Sequence, residues 1–215
     1  MIHLFNQDCM EAMASMKDNQ FDLAIVDPPY GIKASNVNTY SRKEQVIKTS
    51  YKPKTWDDSI PKKEYFDELK RVSKHQIICG GNYFTDFLNP TKSWIVWDKK
   101  QGDNTFSMFE LIYCSFPIVP KIYSERPPAN KNSVDDRVSF FRIHPTQKPV
   151  ALYTWLLDKY AQKGWKILDT HLGSGSSAIA AHDMGFEFHG YELDTEYFEA
   201  ASKRLKLHQQ QMKLF

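Results

Sequence analysis

A carboxylate, two prolines and a tyrosine follow an apolar run in the stretch FDLAIVDPPYGI, residues Phe21–Ile32. Asp27 can accept hydrogen bonds, and so can the carbonyl of Pro28. Pro28 and Pro29 hold that carbonyl rigidly because each ring fixes φ, and neither residue has an amide donor. Tyr30 adds a flat aromatic face. The sequence thus places a carboxylate, a rigid carbonyl and an aromatic ring together at the end of a predicted buried strand.

A second group of residues, in the stretch KILDTHLGSGSSAIAAHDMGFEFHGYELD, has the spacing of a nucleotide site. An apolar run ends at Asp169, and Gly173 and Gly175 then turn the chain into a predicted helix. Glycines let the backbone approach a ligand, and an acid about 20 residues later, here Glu192, can bind a pair of ribose hydroxyls. The third glycine of the dinucleotide fingerprint and a phosphate loop are both absent. The pattern therefore favours a ligand with a ribose but no pyrophosphate, such as S-adenosyl-L-methionine (AdoMet).

Further motifs occur with these two groups, in an order that resembles a known enzyme family. NQDCMEAM precedes the strand of Asp27, GGNYF follows the next strand, and HPTQKP leads into the helix before the glycine motif. With DPPY first and the glycines last, the chain is similar to the permuted β group of DNA amino-methyltransferases, which modify adenine N6 or cytosine N4. The resemblance covers nearly the whole chain outside two long loops, and the small size is similar to stand-alone phage and prophage forms. Thr170 and His171 depart from the Pro and Phe that the family often shows.

The resemblance implies a catalytic site formed by Asp27, Pro28, Pro29 and Tyr30. The two acceptors would direct the amine lone pair at the AdoMet methyl group, and Tyr30 would stack on a base that has left the duplex. The rate gain would come chiefly from aligning amine, methyl and sulfonium.

The implied cofactor residues extend from the N-terminal part of the chain to the predicted strand after the glycine motif. Among them, Asp169 would meet the methionine amino group and Glu192 the ribose hydroxyls. Asp8 and the Cys9 amide would contact the adenine, and residues 146–148 would lie near the methionine carboxylate. The full predicted set is Asp8, Cys9, Asp27, Thr146, Gln147, Lys148, Asp169, His171, Gly173, Ser174, Gly175, Ser176 and Glu192.

Strand-like and helix-like segments alternate, which predicts a Rossmann-like α/β sandwich around a mostly parallel sheet in a single domain, residues 1–215. The predicted helix Pro61–Ser73 has Ser59 as a candidate cap and four large apolar residues on one face. The predicted strands are 2–5, 23–26, 76–79, 94–97, 111–114, 166–168 and 188–193, and the other predicted helices are 9–17, 149–161, 176–184 and 195–207.

Two long polar stretches, Lys33–Ile60 and Ile118–Ile143, are predicted to be insertion loops that contact DNA. Residues 31–54 carry six basic side chains and one acidic side chain, the pattern expected for a polyanionic partner, although an ordinary solvated loop has the same composition. The candidate DNA-binding residues are Lys33, Lys43, Lys48, Lys52, Arg126, Lys131 and Arg137.

The chain has 215 residues, is 41% hydrophobic and carries a net charge of +2. Its three cysteines form no metal-binding pair, so we expect a reduced cytoplasmic protein with no metal and no membrane span. The expected partner is double-stranded DNA, and the resemblance adds a homodimer and a cognate restriction endonuclease. Adenine N6 is favoured as the target. The alternatives are cytosine N4, structured RNA, a protein glutamine, and a catalytically silent AdoMet- or DNA-binding regulator.

Overall fold

A computed structural model describes residues 1–34, 54–102, 107–128 and 142–211. Within these ranges eight strands form one sheet in the order β1-β8-β7-β2-β3-β5-β4-β6. Every neighbouring pair is parallel except the two that involve β5. The strands are β1 (Ile2–Asn6), β2 (Phe21–Val26), β3 (Ser73–Cys79), β4 (Trp94–Asp98), β5 (Phe109–Cys114), β6 (Lys121–Ser124), β7 (Lys166–Asp169) and β8 (Glu187–Glu192). The predicted mostly parallel α/β fold is confirmed.

Helices cover both faces of this sheet. One hydrophobic cluster joins Leu23 and Ile25 of β2 to the later helices, and a second joins Ala24 and Val26 to the two early ones. The alternation follows from the strand period of two residues, and burial on both sides explains why β2 is apolar throughout. The helices are α1 (Cys9–Ala14), α2 (Lys63–Val72), α3 (Val150–Tyr160), α4 (Ser176–Asp183) and α5 (Thr195–Gln210).

Two local predictions differ from the structure. Helix α2 begins after Lys62, without a side-chain cap, so Ser59 does not cap it. Residues 118–143 were expected to form a loop, yet Lys121–Ser124 pairs in parallel with β4 as the edge strand β6. Its side chains are mostly exposed, so the strand lacks the apolar periodicity that would have marked it. No helix in the described parts of the chain has the length and hydropathy of a membrane span.

The topology gathers acidic residues at one edge of the sheet. Strands β1, β8, β7 and β2 lie side by side and parallel, so their carboxyl ends share that edge. Asp8, Glu192, Asp169 and Asp27 stand at or just after those ends in the same spatial order. Strand β5 runs the opposite way, and its amino end therefore reaches the same edge with Glu110. In open α/β sheets this edge is the usual place for a ligand.

Candidate active site

A cleft opens along the carboxyl edge of the sheet. Ten of the predicted cofactor residues line it: Asp8, Cys9, Asp27, Thr146, Gln147, Lys148, His171, Gly173, Ser174 and Glu192. Three lie behind its wall, namely Asp169, Gly175 and Ser176. Gly175 was expected to border the ligand, but at φ +72° a Cβ there would lie 3.2 Å from that of Ala201. Its glycine therefore serves the packing of α4 against α5.

The Asp-Pro-Pro-Tyr turn is held in place by Asp57. One carboxylate oxygen of Asp57 accepts hydrogen bonds from the amides of Tyr30, at 2.7 Å, and Gly31, at 2.9 Å, and the other accepts one from the amide of Ala34 at 2.7 Å. Asp57 is only 1% exposed. The two prolines leave the turn without donors of its own, so the buried carboxylate fixes the amides that follow them. No motif pointed to this residue.

Asp27 belongs to a buried ionic cluster. Its Oδ1 atom lies 2.7 Å from Nζ of Lys148 and accepts a hydrogen bond of 2.6 Å from the hydroxyl of Tyr30. Nζ of Lys148 also lies 2.9 Å from Oε1 of Glu110. Burial raises the pKa of Asp27 and the charge of Glu110 adds to this, whereas the ammonium of Lys148 opposes it. The sequence motif placed Lys148 near the cofactor carboxylate and did not predict this contact.

The ring of Tyr30 stacks on Tyr83, with centroids 4.8 Å apart and planes 11° apart. Gly80 packs against the same ring, since a Cβ there would lie 2.2 Å from a Tyr30 ring carbon. Tyr83 is 39% exposed and borders a second cleft on the far side of Tyr30, together with Ile32, Lys99, Phe109 and Glu110. The GGNYF segment, which follows the strand next to that of Asp27, therefore supports the ring of Tyr30.

Asp169 is completely buried. Its Oδ1 accepts a hydrogen bond from the His171 amide at 3.0 Å, and its Oδ2 accepts one from the Ser177 hydroxyl at 2.5 Å. Burial nevertheless raises the pKa of Asp169 to about 7, and the charges of Asp27 and Glu192 contribute. Carboxyl groups whose pKa is raised in this way occur more often at functional sites than elsewhere, which makes Asp169 a candidate site residue.

Glu192 and Asp8 bind backbone amides at the other end of the cleft. Glu192 accepts hydrogen bonds from Gly173, at 2.8 Å, and Asp194, at 2.9 Å, which holds the glycine turn against β8. Asp8 caps α1 by accepting hydrogen bonds from the amides of Met10 and Glu11. Burial raises the pKa of Cys9 to about 12, so its thiol stays neutral.

His171 lies in a hydrogen-bonded network in the wall of the cleft. Its Nδ1 is 2.9 Å from the hydroxyl of Thr170, whose oxygen is 2.7 Å from the hydroxyl of Tyr65. Burial lowers the pKa of His171 to about 4, so the ring is neutral at physiological pH. Thr170 and His171, the two residues that depart from the family pattern, are thus hydrogen-bonded to each other, and Thr170 connects them to Tyr65 of α2.

Two buried nitrogen atoms at the cleft fit a bound ligand. Nε2 of Gln147 and Nε1 of Trp56 have no hydrogen-bond partner among the described residues. The side-chain oxygen of Gln147 already accepts a bond from the Ile143 amide, which leaves its NH₂ group as the available donor. Because unpaired buried donors are costly, a polar ligand in this cleft is an expected partner. Trp56 was not predicted as a site residue.

The predicted DNA-binding residues fall mostly outside the described ranges. Lys33 and Arg126 are described, and both are exposed. Lys33 has φ +57° and its amide donates to the carbonyl of Asp57, so it directly follows the fixed turn. The others lie beyond the described residues: Lys43, Lys48, Lys52, Lys131 and Arg137.

Comparisons with known proteins bear on the family and the fold of this chain. A DNA methylase family model for N6 and N4 methyltransferases matches residues 46–203. The Type II methyltransferase M2.MboI of Moraxella bovis is 22% identical over 240 residues, which span 94% of this chain and 86% of that protein. The crystal structure of the M1.HpyAVI–SAM complex is similar in fold, with a TM-score of 0.60 at 20% identity, covering 95% of this chain and 99% of that one. The PvuII cytosine-N4-specific DNA methyltransferase gives a TM-score of 0.59 at 11% identity, covering 96% and 90%.

The family match, on a chain with this α/β fold, defines a class of enzymes that transfer a methyl group from AdoMet. The family match covers most of the chain, so this protein belongs to the N6/N4 DNA methylases, which are AdoMet-dependent DNA methyltransferases.

Proposed function

We propose that the protein methylates adenine at N6 in duplex DNA, after taking the target base out of the helix and into the cleft at Asp27. The observation that carries this proposal is the hydrogen bonding of the Asp27 carboxylate. Its Oδ1 is anchored by Lys148 and Tyr30, whereas its Oδ2 has no hydrogen-bond partner among the described residues. An anchored carboxylate with one open oxygen, beside the rigid Pro28 carbonyl, is suited to accept both amino hydrogens.

The chemistry required of these residues is limited. AdoMet, when bound, supplies a methyl group on a positively charged sulfur. Asp27 and the Pro28 carbonyl each accept one amino hydrogen, which directs the nitrogen lone pair out of conjugation with the ring. With AdoMet bound, the amine nitrogen would accept the methyl group as sulfur leaves, and Asp27 would take the amino proton that is released and pass it to solvent. Alignment of the reacting groups supplies most of the acceleration.

For the cofactor, we assign the adenine to Asp8 and Cys9, and the ribose hydroxyls to Glu192. From behind the cleft wall, the charge of Asp169 would act on the methionine ammonium, and the unpaired donor of Gln147 would bind the methionine carboxylate. This arrangement follows the order of the strand ends along the sheet. It also gives a partner to one of the orphaned nitrogen atoms in the cleft.

For the substrate, we assign the exposed face of Tyr83 and the second cleft to the target base and its surroundings. The aromatic rim formed by Tyr83 and Phe109, which are 39% and 51% exposed, offers stacking surfaces. The basic residues of 33–60 and 118–143 would contact phosphates, which position the enzyme without reading sequence. A homodimer would enlarge the small footprint, and a cognate endonuclease would fit the type II methyltransferase name of one relative.

Cytosine N4 is the second candidate. PvuII methyltransferase, which has a similar fold, is named as cytosine-N4-specific. Both bases carry an amino group beside a ring nitrogen, so the Pro28 carbonyl and the Tyr30 ring cannot separate them. Asp27 favours adenine, because the family resemblance associates Asp with adenine and Ser with cytosine at this position.

The deciding experiment incubates the protein with plasmid DNA and labelled AdoMet, digests the product to nucleosides and separates them. N6-methyladenine is the expected product, and the Asp27→Asn variant, which keeps the side-chain volume, should give none while still binding AdoMet. N4-methylcytosine as the sole product would reverse the choice of base. Absence of any labelled nucleoside, with AdoMet binding intact, would instead indicate the silent regulator.

A further inference from the structure

Glu110 is a buried carboxylate in a strand that is otherwise apolar. It follows Phe109 at the start of β5, is 9% exposed, and pairs in register with Trp97 of β4. Burial of an unpaired carboxylate would cost several kcal/mol, so its retention requires partners. Glu110 has two cationic partners: its Oε1 lies 2.9 Å from Nζ of Lys148, and its Oε2 lies 3.3 Å from Nζ of Lys99.

Each of the three N–H donors of the Lys148 ammonium has an oxygen acceptor nearby. A lysine ammonium has three N–H donors. Three oxygens surround it, from Asp27 at 2.7 Å, Glu110 at 2.9 Å and the Tyr30 hydroxyl at 3.1 Å. The side chain of Lys148 is 3% exposed, so its ammonium is almost entirely shielded from bulk solvent. Removing Glu110 would leave one of three buried donors without its charged acceptor.

The hydroxyl of Tyr30 bridges the same two carboxylates. It lies 2.6 Å from Oδ1 of Asp27 and 2.9 Å from Oε1 of Glu110. Asp27 and Glu110 are therefore linked twice, through a shared ammonium and through a shared hydroxyl proton. This double link restrains Asp27 at Oδ1 and leaves Oδ2 without a partner among the described residues.

We propose that Glu110 is a positioning residue for Asp27. It acts through Lys148 and Tyr30 to fix the orientation of Asp27 and to offset the ammonium charge, so that Oδ2 can accept an amino hydrogen. This inference rests on the proposed function of Asp27. Without the second carboxylate, the ammonium would neutralise Asp27 alone. The negative charge that polarises the amine would then be largely cancelled.

The charge of Glu110 acts on Asp27 in a definite direction. It raises the pKa of Asp27, whereas the Lys148 ammonium lowers it. Loss of the Glu110 charge must therefore lower the pKa of Asp27. The acid limb of the plot of kcat against pH should then move to lower pH. The other titratable groups that act on or near Asp27 are Cys79 of β3, Tyr65 of α2, Tyr153 of α3, Asp169 of β7 and Lys99 after β4.

The test compares Glu110→Gln with Glu110→Asp. The first variant keeps the volume and the hydrogen-bonding oxygen but removes the charge, and the second keeps the charge on a shorter side chain. At saturating AdoMet, E110Q should lower kcat at least tenfold and shift the acid limb to lower pH, while E110D should retain the wild-type limb. AdoMet affinity, measured by calorimetry, should stay within about twofold in both variants. Glu187→Gln, which breaks an exposed 3.2 Å pair with Lys166, is the matched control and should change neither quantity.

A readout that does not depend on turnover separates this inference from the proposed function. Carboxyl ¹³C resonances of the aspartates, with Asp27 assigned from Asp27→Asn, should show a lower Asp27 pKa in E110Q than in the wild type. A wild-type protein that fails to methylate DNA would refute the proposed function, and the ¹³C titration would still test Glu110. An unmoved titration overturns the inference. So does a loss of folding or AdoMet binding shared by E110Q and E110D, because the role of Glu110 would then be structural.

Discussion

Replacing Asp169 by Asn should stabilise the protein at alkaline pH while weakening AdoMet binding. Asp169 is completely buried, and its pKa rises from the ordinary 3.8 to about 7. The folded protein therefore holds this proton more tightly than the unfolded chain does. Between these two pKa values the contribution of Asp169 to the free energy of unfolding falls as pH rises, and above pH 7 it stays at its minimum. The Asp169→Asn variant would keep the side-chain volume and would not carry the cost of an ionised carboxylate in a buried position.

The magnitude follows from the size of the pKa shift. A shift of roughly three units corresponds to about 4 kcal/mol above pH 7, and to about 1.5 kcal/mol at pH 5, where the unfolded carboxyl is already ionised. The stability of the Asp169→Asn variant relative to the wild type should therefore increase by about 2–3 kcal/mol between pH 5 and pH 8. Asn can still accept the hydrogen bond from the His171 amide through its side-chain oxygen.

Urea unfolding of both proteins at pH 5 and pH 8 measures this difference. Calorimetry with AdoMet supplies the second half of the prediction: wild-type affinity should fall about tenfold from pH 8 to pH 6, because the methionine ammonium needs the ionised carboxylate. Ser177→Ala is a graded control, since loss of its hydrogen bond should raise the Asp169 pKa further and move that loss of affinity to higher pH. Equal relative stability at the two pH values would refute the reasoning about burial. A pH-independent affinity would remove Asp169 from the cofactor site.

Three further predictions concern the cofactor, the catalytic turn and DNA. Glu192→Ala should weaken AdoMet binding by about 1–3 kcal/mol, whereas Asp27→Ala should leave it nearly intact and abolish turnover; equal losses in calorimetry would contradict this division. Asp57→Ala removes the acceptor of three amides and should lower both the unfolding free energy, by about 1–3 kcal/mol, and kcat, with AdoMet affinity less affected. Unchanged kcat would show that the turn does not need Asp57. Neutralising Lys43, Lys48 and Lys52 together should lower DNA affinity for all sequences and flatten its salt dependence. An unchanged salt slope would favour the interpretation of this segment as an ordinary solvated loop.

The sequence alone determined the layers of the fold and the strand ends that carry the acids. Apolar runs of strand length alternate with helical patterns, and that periodicity is a local property of the chain. The Asp-Pro-Pro-Tyr turn and the glycine motif with Glu192 were recognisable for the same reason, because each is a short segment with fixed spacing. Helix α2 shows the limit, since its apolar face was predicted while its first residue was not.

Only the tertiary structure decided how these segments meet. Asp57 is 27 positions from the amide of Tyr30, Glu110 is 80 from its hydroxyl, and Lys148 is 118 from it. No local pattern records such contacts, and a single Glu in a strand is typical of a solvent-facing position. The reversal of β5 brings the amino end of that strand to the ligand edge, which turns Glu110 into a partner of Lys148. The order of strands in the sheet decides which charged residues are buried together at the strand ends. That order is set by packing between the layers.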